Sequence, residues 1–329
     1  MSALSPRLEA FFTERLGRQL QASPHTVAAY RDTFRLLLRF ASSRSGKEPS
    51  ELDFVDIDGE VVGAFLEHLE HERHNGVVTR NVRLAAIRSF FRFAAYYEPA
   101  HADLIARVLA IPERRTRRTV VSFLTPAEID ALLGSPDRST WHGRRDHALL
   151  VTACQTGLRV GELLGLQNRA VELGTGAHVR VHGKGRKDRC TPLTAHTVAV
   201  LGVWMRERQG DPDDPLFPTI TGRALSHDAV SDLVTKHAAR AEDRCPTLTT
   251  KRVTPHVLRH SSAMALLAAG VDTSVIALWL GHEHVQTTQI YLHGDLSIKE
   301  RALARTASPG TPPGRYRPPD KLLAFLEAL

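Results

Sequence analysis

The sequence predicts a mainly α protein with one small β-sheet, arranged as two domains. Three observations carry this. From Pro6 to about Tyr97 apolar residues recur at helical spacing and strand signals are absent. Residues 177–193, AHVRVHGKGRKDRCTPL, alternate apolar and polar before Gly183 and after Asp188, as a β-hairpin does. Between these regions Ile111 to Thr119 reads IPERRTRRT, an arginine-dense connector that precedes new helical patterning. At 329 residues the chain is long enough for each domain to bury its own core. The partition is a helical domain over 1–112, a basic linker over 113–120, a mixed domain over 121–306, and a tether with a terminal helix over 307–329.

Four helices are expected in the first domain, separated by turn chemistry. The first covers about 6–20, and the second starts at Ser23 and Pro24 and ends near the Ser-Gly cluster at 43–46. The third, from Asp58 to about His74, carries an acidic face of Glu60, Glu67, Glu70 and Glu72. The fourth, Val78 to Tyr97, is strongly amphipathic. Arg31, Arg35 and Arg39 line the second helix, and Arg80, Arg83, Arg88 and Arg92 spread along the fourth. Like charges four residues apart cost helix stability, so an anion facing such a stripe removes a penalty.

The second domain opens on Thr125-Pro126-Ala127-Glu128, a capping box with proline at the first helical position. Helices are expected at about 126–134, 144–155, 194–208 and 227–241, with loop chemistry in DPDDPLFPTITGRAL. Thr254 and Pro255 start another helix that stops at Gly270, and Asp272 caps a short one that runs to Leu280, with Gly281 as its punctuation. Thr287 and Thr288 open a last short helix carrying Tyr291, and a further short helix is expected at about 297–305.

A net charge of +7 and a pI near 9.6 favour a polyanionic partner. Cys154, Cys190 and Cys245 are odd in number and far apart, which indicates neither a disulfide framework nor a CxxC zinc site. No basic-then-apolar leader and no run of about 18 apolar residues occurs, so the expectation is a soluble, cytoplasmic protein without membrane association.

Chemistry concentrates between His256 and Tyr291, HVLRHSSAMALLAAGVDTSVIALWLGHEHVQTTQIY. His256 and Arg259 share one helical face, while His282 and Tyr291 come from separate elements, so all four converge if the helices fold back on one another. That set suits a phosphate. A phenol has a pKa of about 10 and needs a base or a positive charge before it attacks at neutral pH. His256 is the candidate base, and the planar fork of Arg259 suits nonbridging phosphate oxygens. Upstream, Arg159 sits among Leu158, Val160, Leu163, Leu164 and Leu166, so it is partly buried and must be paired, with Glu162 the nearest partner. Lys184 occupies the hairpin turn.

The segment resembles the C-terminal signature of the tyrosine recombinase (phage integrase) family: His-x-x-Arg, then Gly-His, then Tyr nine residues later. Its wording is most similar to Xer-like and transposon-associated members. The family's two upstream parts are also present, as Thr156-Gly157-Leu158-Arg159-Val160-Gly161-Glu162-Leu163 and as Lys184 in His182-Gly183-Lys184-Gly185-Arg186-Lys187-Asp188. The resemblance implies a SAM-like helical core-binding domain and a catalytic domain closing as a C-shaped clamp on DNA. It implies attack by Tyr291 on a phosphodiester, a 3′-phosphotyrosyl link and a free 5′-hydroxyl, with Arg159, Lys184, His256, Arg259 and His282 around the phosphate. Neither ATP, a metal ion nor any other cofactor is implied. Glu162 is expected to orient Arg159.

By the same resemblance the first domain grips the recombination site. The candidate DNA contacts are then Arg31, Arg35, Arg39, Thr79, Arg80, Asn81, Arg83 and Arg88, with Arg114, Arg115, Arg117 and Arg118 of the linker. The implied partners are a double-stranded recombination site, further copies in a tetrameric synapse, and related recombinases, on nucleoid DNA in the cytoplasm. SPGTPPGRYRPP from Ser308 to Pro319 reads as a tether able to span about 35 Å at about 3.1 Å per residue. The apolar face of the helix at 320–329 is then expected to dock on a neighbouring protomer.

Three other readings use the same residues. A metal-dependent nuclease would draw on His256, His260, His282, His284 and His293, but Val257 follows His256, so the general base of an HExxH motif is missing. A non-cleaving partner of a recombinase complex would need a lost chemical position, and every one is filled. Type IB topoisomerase chemistry shares the groups, but the bipartite layout and the terminal tether favour recombination.

Overall fold

The computed structural model describes residues 3–116, 121–183 and 188–281. Contacts divide the chain into two units, Met1–Arg118 and Thr119–Leu329. The first is all helical. In it α1 (Leu4–Ala10) continues without a break into a π-helical stretch, Phe11–Gln19, which buries Phe11 and Leu16. Next comes α2 (Pro24–Ser45), started by Ser23, whose Oγ accepts from the Thr26 amide at 3.2 Å. After a 3-10 turn at Phe54–Ile57, α3 (Gly59–His71) begins under Asp58, whose carboxylate accepts from the Val61 amide at 2.9 Å. The unit ends with α4 (Val77–Ala94) and α5 (Ala102–Ala110).

Helix α5 lies beyond the four helices that the sequence predicts. The reason is local: no side chain caps its start, so the polar signal that marks a helix N-terminus is missing. The core is aromatic. Phe90 sits at its centre, edge-on to Phe34 at 5.3 Å and to Phe11 at 5.6 Å, and stacked on Phe54 at 6.1 Å.

The arginine stripes divide. Arg31, Arg35 and Arg39 are exposed, but Asp32 lies 3.2 Å from Arg31 and 3.7 Å from Arg35, so like-charge repulsion on α2 is already relieved within the helix. On α4, Thr79 and Arg92 are exposed, while Arg83 and Arg88 are half-buried. Arg80 corrects the expectation of a DNA-facing side chain: it is 6% exposed, and its Nη1 donates to the Pro112 carbonyl at 3.0 Å. Asn81 also turns to its own unit, donating to the Arg114 carbonyl at 2.8 Å and accepting from the Arg114 amide at 3.1 Å. Arg88 donates to the Ile111 carbonyl, and Arg114 pairs with Glu70 at 2.9 Å. The start of the basic stretch is therefore strapped along α4. Arg115 is exposed, and Arg117 and Arg118 lie outside the described residues.

In the second unit α6 (Pro126–Leu133) starts on the expected capping box: Thr125 Oγ1 accepts from the Glu128 amide at 3.3 Å, and Glu128 accepts from the Thr125 amide at 2.7 Å. Glu128 also takes Lys251 at 2.7 Å and Thr247 at 2.7 Å. Burial pulls its carboxyl upward, but these partners outweigh it and hold the pKa below the usual value. The central α7 (Trp141–Thr156) begins earlier than the expected residue 144, because Thr140 caps it through the Gly143 amide at 3.0 Å. It is buried on nearly every face. A short α8 (Val160–Leu164) follows, then a three-stranded antiparallel sheet of β1 (Val171–Glu172), β2 (His178–His182) and β3 (Asp188–Pro192). Strands β2 and β3 pair Val179 with Thr191 and Val181 with Arg189, and β1 was not expected.

The remaining helices are α9 (Ala195–Arg208), α10 (His227–Ala241), α11 (Pro255–Ala268) and α12 (Thr273–Leu280). Helix α7 packs between α9 and α11, and α12 packs on α11 through Ala263, Met264, Leu267, Ile276 and Leu280. Asp146 of α7 is buried between Arg145 at 2.7 Å and His237 of α10 at 3.0 Å. Burial raises the Asp146 pKa, and the hydrogen bonds from His237 and Arg145 more than reverse that. The three cysteines are free, and burial pushes the Cys154 thiol up to about 12. No helix among the described residues is long and apolar enough to cross a membrane.

Candidate active site

The last three residues of the described chain organise the site. Helix α12 ends at Leu280, and three consecutive carbonyls at that end each accept from a different arginine. Arg189 Nε donates to Trp279 at 3.1 Å, Arg259 Nη2 to Leu280 at 2.7 Å, and Arg159 Nη2 to Gly281 at 3.1 Å. Guanidinium groups suit this place because a helix C-terminus presents unpaired carbonyls and a partial negative charge. Arg159 and Arg259 thus hold adjacent carbonyls at the same helix end, although 100 positions separate them in the chain.

Each arginine is placed by its own element. Arg159 is the N-cap residue of α8, in extended conformation. Its amide donates to Glu162 at 2.8 Å and its Nη1 donates to the same carboxylate at 3.0 Å. Two of its five N–H donors are thereby engaged and its side chain stays 42% exposed, so it retains donors for a ligand. Arg259 lies on α11, 3% exposed, with Nη1 donating to the Gly157 carbonyl at 2.7 Å and standing 3.9 Å from Glu162.

Close approach here depends on two glycines. Gly157 closes α7 at φ +63°, and a Cβ there would meet Leu280 at 2.8 Å; Gly281 closes α12 at φ +65°, where a Cβ would meet Arg189 Nη1 at 2.7 Å.

Glu162 is the shared anion. Its side chain is 7% exposed and accepts from Arg189 through both oxygens, at 2.9 and 2.8 Å, besides Arg159. Burial raises its pKa, but the hydrogen bonds from Arg189 and the Arg159 amide, with both charges, hold it below the usual carboxylate value. A carboxyl depressed in the folded state contributes stability that is present above its unfolded pKa, about 4.3, and lost as pH falls through the folded value. Glu162→Ala is expected to lower stability by about 3–5 kcal/mol at pH 7, since it leaves buried arginines unpaired. Denaturant unfolding should show the gap to the unaltered protein narrowing below about pH 4.3.

His256 lies one turn before Arg259 on α11, at the surface, with its ring against His260 at 4.1 Å between centroids. Desolvation first, then the charges of Arg259 and Arg159, hold its imidazole below the ordinary histidine value. It is therefore neutral at pH 7 and able to accept a proton. Lys184, His282 and Tyr291, together with the helices expected at 297–305 and 320–329, lie outside the described residues. Among the described residues no group of three or more His, Cys, Asp or Glu is placed to hold a metal; His282, His284 and His293 lie outside them.

Arg189 escaped the sequence reading. A signal existed: strict alternation along β3 puts position 189 on the inward face with Thr191, where a charge requires a buried partner.

The phage integrase family matches residues 122–297, and the N-terminal SAM-like domain of phage integrases matches residues 10–96. The chain belongs to the phage integrase family. It is thus a tyrosine-type site-specific DNA recombinase. A Sinorhizobium fredii relative, y4rC, provisionally named an integrase/recombinase, is 54% identical over 328 residues, spanning 100% of this chain and 99% of its own. The tyrosine recombinase XerC of Pelobacter propionicus is 31% identical over 316 residues, spanning 94% of this chain and 99% of its own. Among solved structures, the XerH site-specific recombinase bound to a palindromic difH substrate, in a post-cleavage complex, shares the fold. Its TM-score is 0.68 at 22% identity, over 92% of this chain and 85% of XerH. In this family member, Arg159 and Arg259 are both held at the end of α12.

Proposed function

We propose that this recombinase cuts and rejoins the strands of a double-stranded DNA site through a covalent link at Tyr291. The observation that carries the reading is the pair of guanidinium groups, Arg159 and Arg259, fixed by adjacent carbonyls, with His256 one helical turn before Arg259 on α11. In this reading Tyr291 Oη attacks the phosphorus and passes its proton to His256. The bond to the 5′ oxygen breaks, Lys184 protonates that oxygen, and a 3′-phosphotyrosyl link and a free 5′-hydroxyl result. Arg159, Arg259 and His282 stabilise the charge on the nonbridging oxygens without a metal ion. A 5′-hydroxyl from a second strand reverses the steps on a new partner, so no ATP is needed.

Arg31, Arg35, Arg39, Thr79, Arg83 and Arg88, with the linker residues Arg114, Arg115, Arg117 and Arg118, supply phosphate contacts, while Arg80 and Asn81 hold the linker. The catalytic unit extends from 121 to 306. Copies assemble as a tetramer on the site, with the helix at 320–329 seated on a neighbour. XerH, which shares the fold, was solved on its difH substrate, and this likeness supports DNA as the partner.

The test is incubation with nicked candidate sites, drawn from DNA flanking the gene, followed by denaturing gels and peptide mapping. A protein–DNA adduct at residue 291 that forms equally in EDTA is expected, and removal of 308–329 should abolish paired-site complexes. An adduct at another residue, or cleavage that requires a divalent metal, would overturn the reading.

A further inference from the structure

We propose that Arg189 is a positioning residue for strand cleavage, holding the arginine cradle, the hairpin and the end of α12 in one register. This rests on the reading of Arg159 and Arg259 as the phosphate grips. One guanidinium makes three connections. Two N–H groups fork onto Glu162, at 2.9 and 2.8 Å, and the third, Nε, reaches the Trp279 carbonyl at 3.1 Å. The side chain is 13% exposed, and these three bonds occupy its Nε and both terminal nitrogens.

The three connections join segments that reach the site from different parts of the fold. Arg189 itself belongs to β3, paired with Val181, and so to the hairpin whose turn residues include Lys184 in the sequence. Glu162 belongs to α8 and orients Arg159 by two hydrogen bonds. Trp279 belongs to the last turn of α12, whose next residues in the chain are Leu280 and Gly281, the carbonyls that hold Arg259 and Arg159, and then His282. Trp279 is fixed at its other end too, since its Nε1 donates to the Thr156 carbonyl at 3.0 Å, one residue before the Gly157 carbonyl that takes Arg259. Gly281 leaves room for this arrangement, because a Cβ there would fall on the Arg189 guanidinium. A planar fork plus a separate Nε donor is something arginine provides and lysine does not.

Arg189→Lys keeps the charge and loses the geometry. In the full-length protein, hydrogen exchange of the peptide spanning Thr273–Gly281 is expected to rise about tenfold. Adduct formation on the nicked site, under single-turnover conditions with saturating protein, is expected to slow about 10²-fold. DNA affinity should stay within about twofold, because phosphate contacts elsewhere supply it. Glu128→Gln is the stability control: it breaks a buried pair in the same unit whose partners are Thr125, Thr247 and Lys251, and its cleavage rate should remain within about twofold of the unaltered protein.

Unchanged exchange in α12, or a cleavage rate for Arg189→Lys within about twofold, would overturn the proposal. So would an equal slowing in Glu128→Gln, which would reduce the effect to general loss of stability. Failure of the unaltered protein to form any adduct would instead strike the Tyr291 reading and the catalytic half of this one; the exchange measurement still decides whether Arg189 holds α12.

Discussion

Tyr291→Phe protein is expected to form no covalent adduct with nicked site DNA, a loss on the order of 10⁴-fold or more. The substitution removes one oxygen and leaves the ring, so packing and DNA binding should be conserved. Of the other tyrosines, Tyr30, Tyr96 and Tyr97 belong to the first unit, and Tyr316 lies in the Pro/Gly-rich stretch at 308–319. The phenol needs help because its pKa is about 10. In the proposed mechanism this comes in two ways: the imidazole of His256 receives the proton, and the Arg159 and Arg259 charges favour the anion that forms. Gel shift of the same DNA by both proteins separates chemistry from binding. An adduct that survives in Tyr291→Phe would remove the nucleophile assignment.

Arg259→Ala should carry the next largest effect, about 10³-fold on the rate of cleavage. Two losses combine. In the proposed mechanism the guanidinium stabilises the charge that develops on the phosphate, and in a buried site such a group acts in a low dielectric. It also joins the Gly157 and Leu280 carbonyls, at 2.7 Å each, and so pins the end of α7 to the end of α12. Loss of these bonds is expected to destabilise the second unit by about 1–3 kcal/mol for each carbonyl left unpaired. Arg259→Lys should restore part of the stability and little of the rate, since an ammonium cannot fork. Single-turnover cleavage alongside thermal unfolding checks both parts; full activity in Arg259→Lys would show that the fork is not what the phosphate requires.

Much of this was legible because its causes are local. Thr125 with Glu128, and Asp272 before α12, announce helix starts through side chains that satisfy amides within three residues. The alternation through His178–His182 and Asp188–Pro192 needs only the two-residue period of a strand. Motif spacing likewise named Arg159, Glu162, His256 and Arg259. Helix α5 was missed for the complementary reason, since nothing in its own residues caps it.

Arg80 and Arg189 mark the boundary of this kind of reading. Arg80 has the spacing of a solvent-facing stripe, yet it is buried by chain 32 residues away, where the Pro112 carbonyl accepts its hydrogen bond. Arg189 looks like one more charge in a basic hairpin until the fold brings Glu162 and Trp279 to it.

By itself the sequence determined the helical character, the hairpin and the candidate groups proposed for the chemistry, because propensity, capping and residue type act over a few positions. The tertiary structure alone decided which arginines meet. A guanidinium is buried only where carbonyls and a carboxylate from other segments receive it, and those arrive through packing of α7, α8, β3, α11 and α12 that no local pattern specifies.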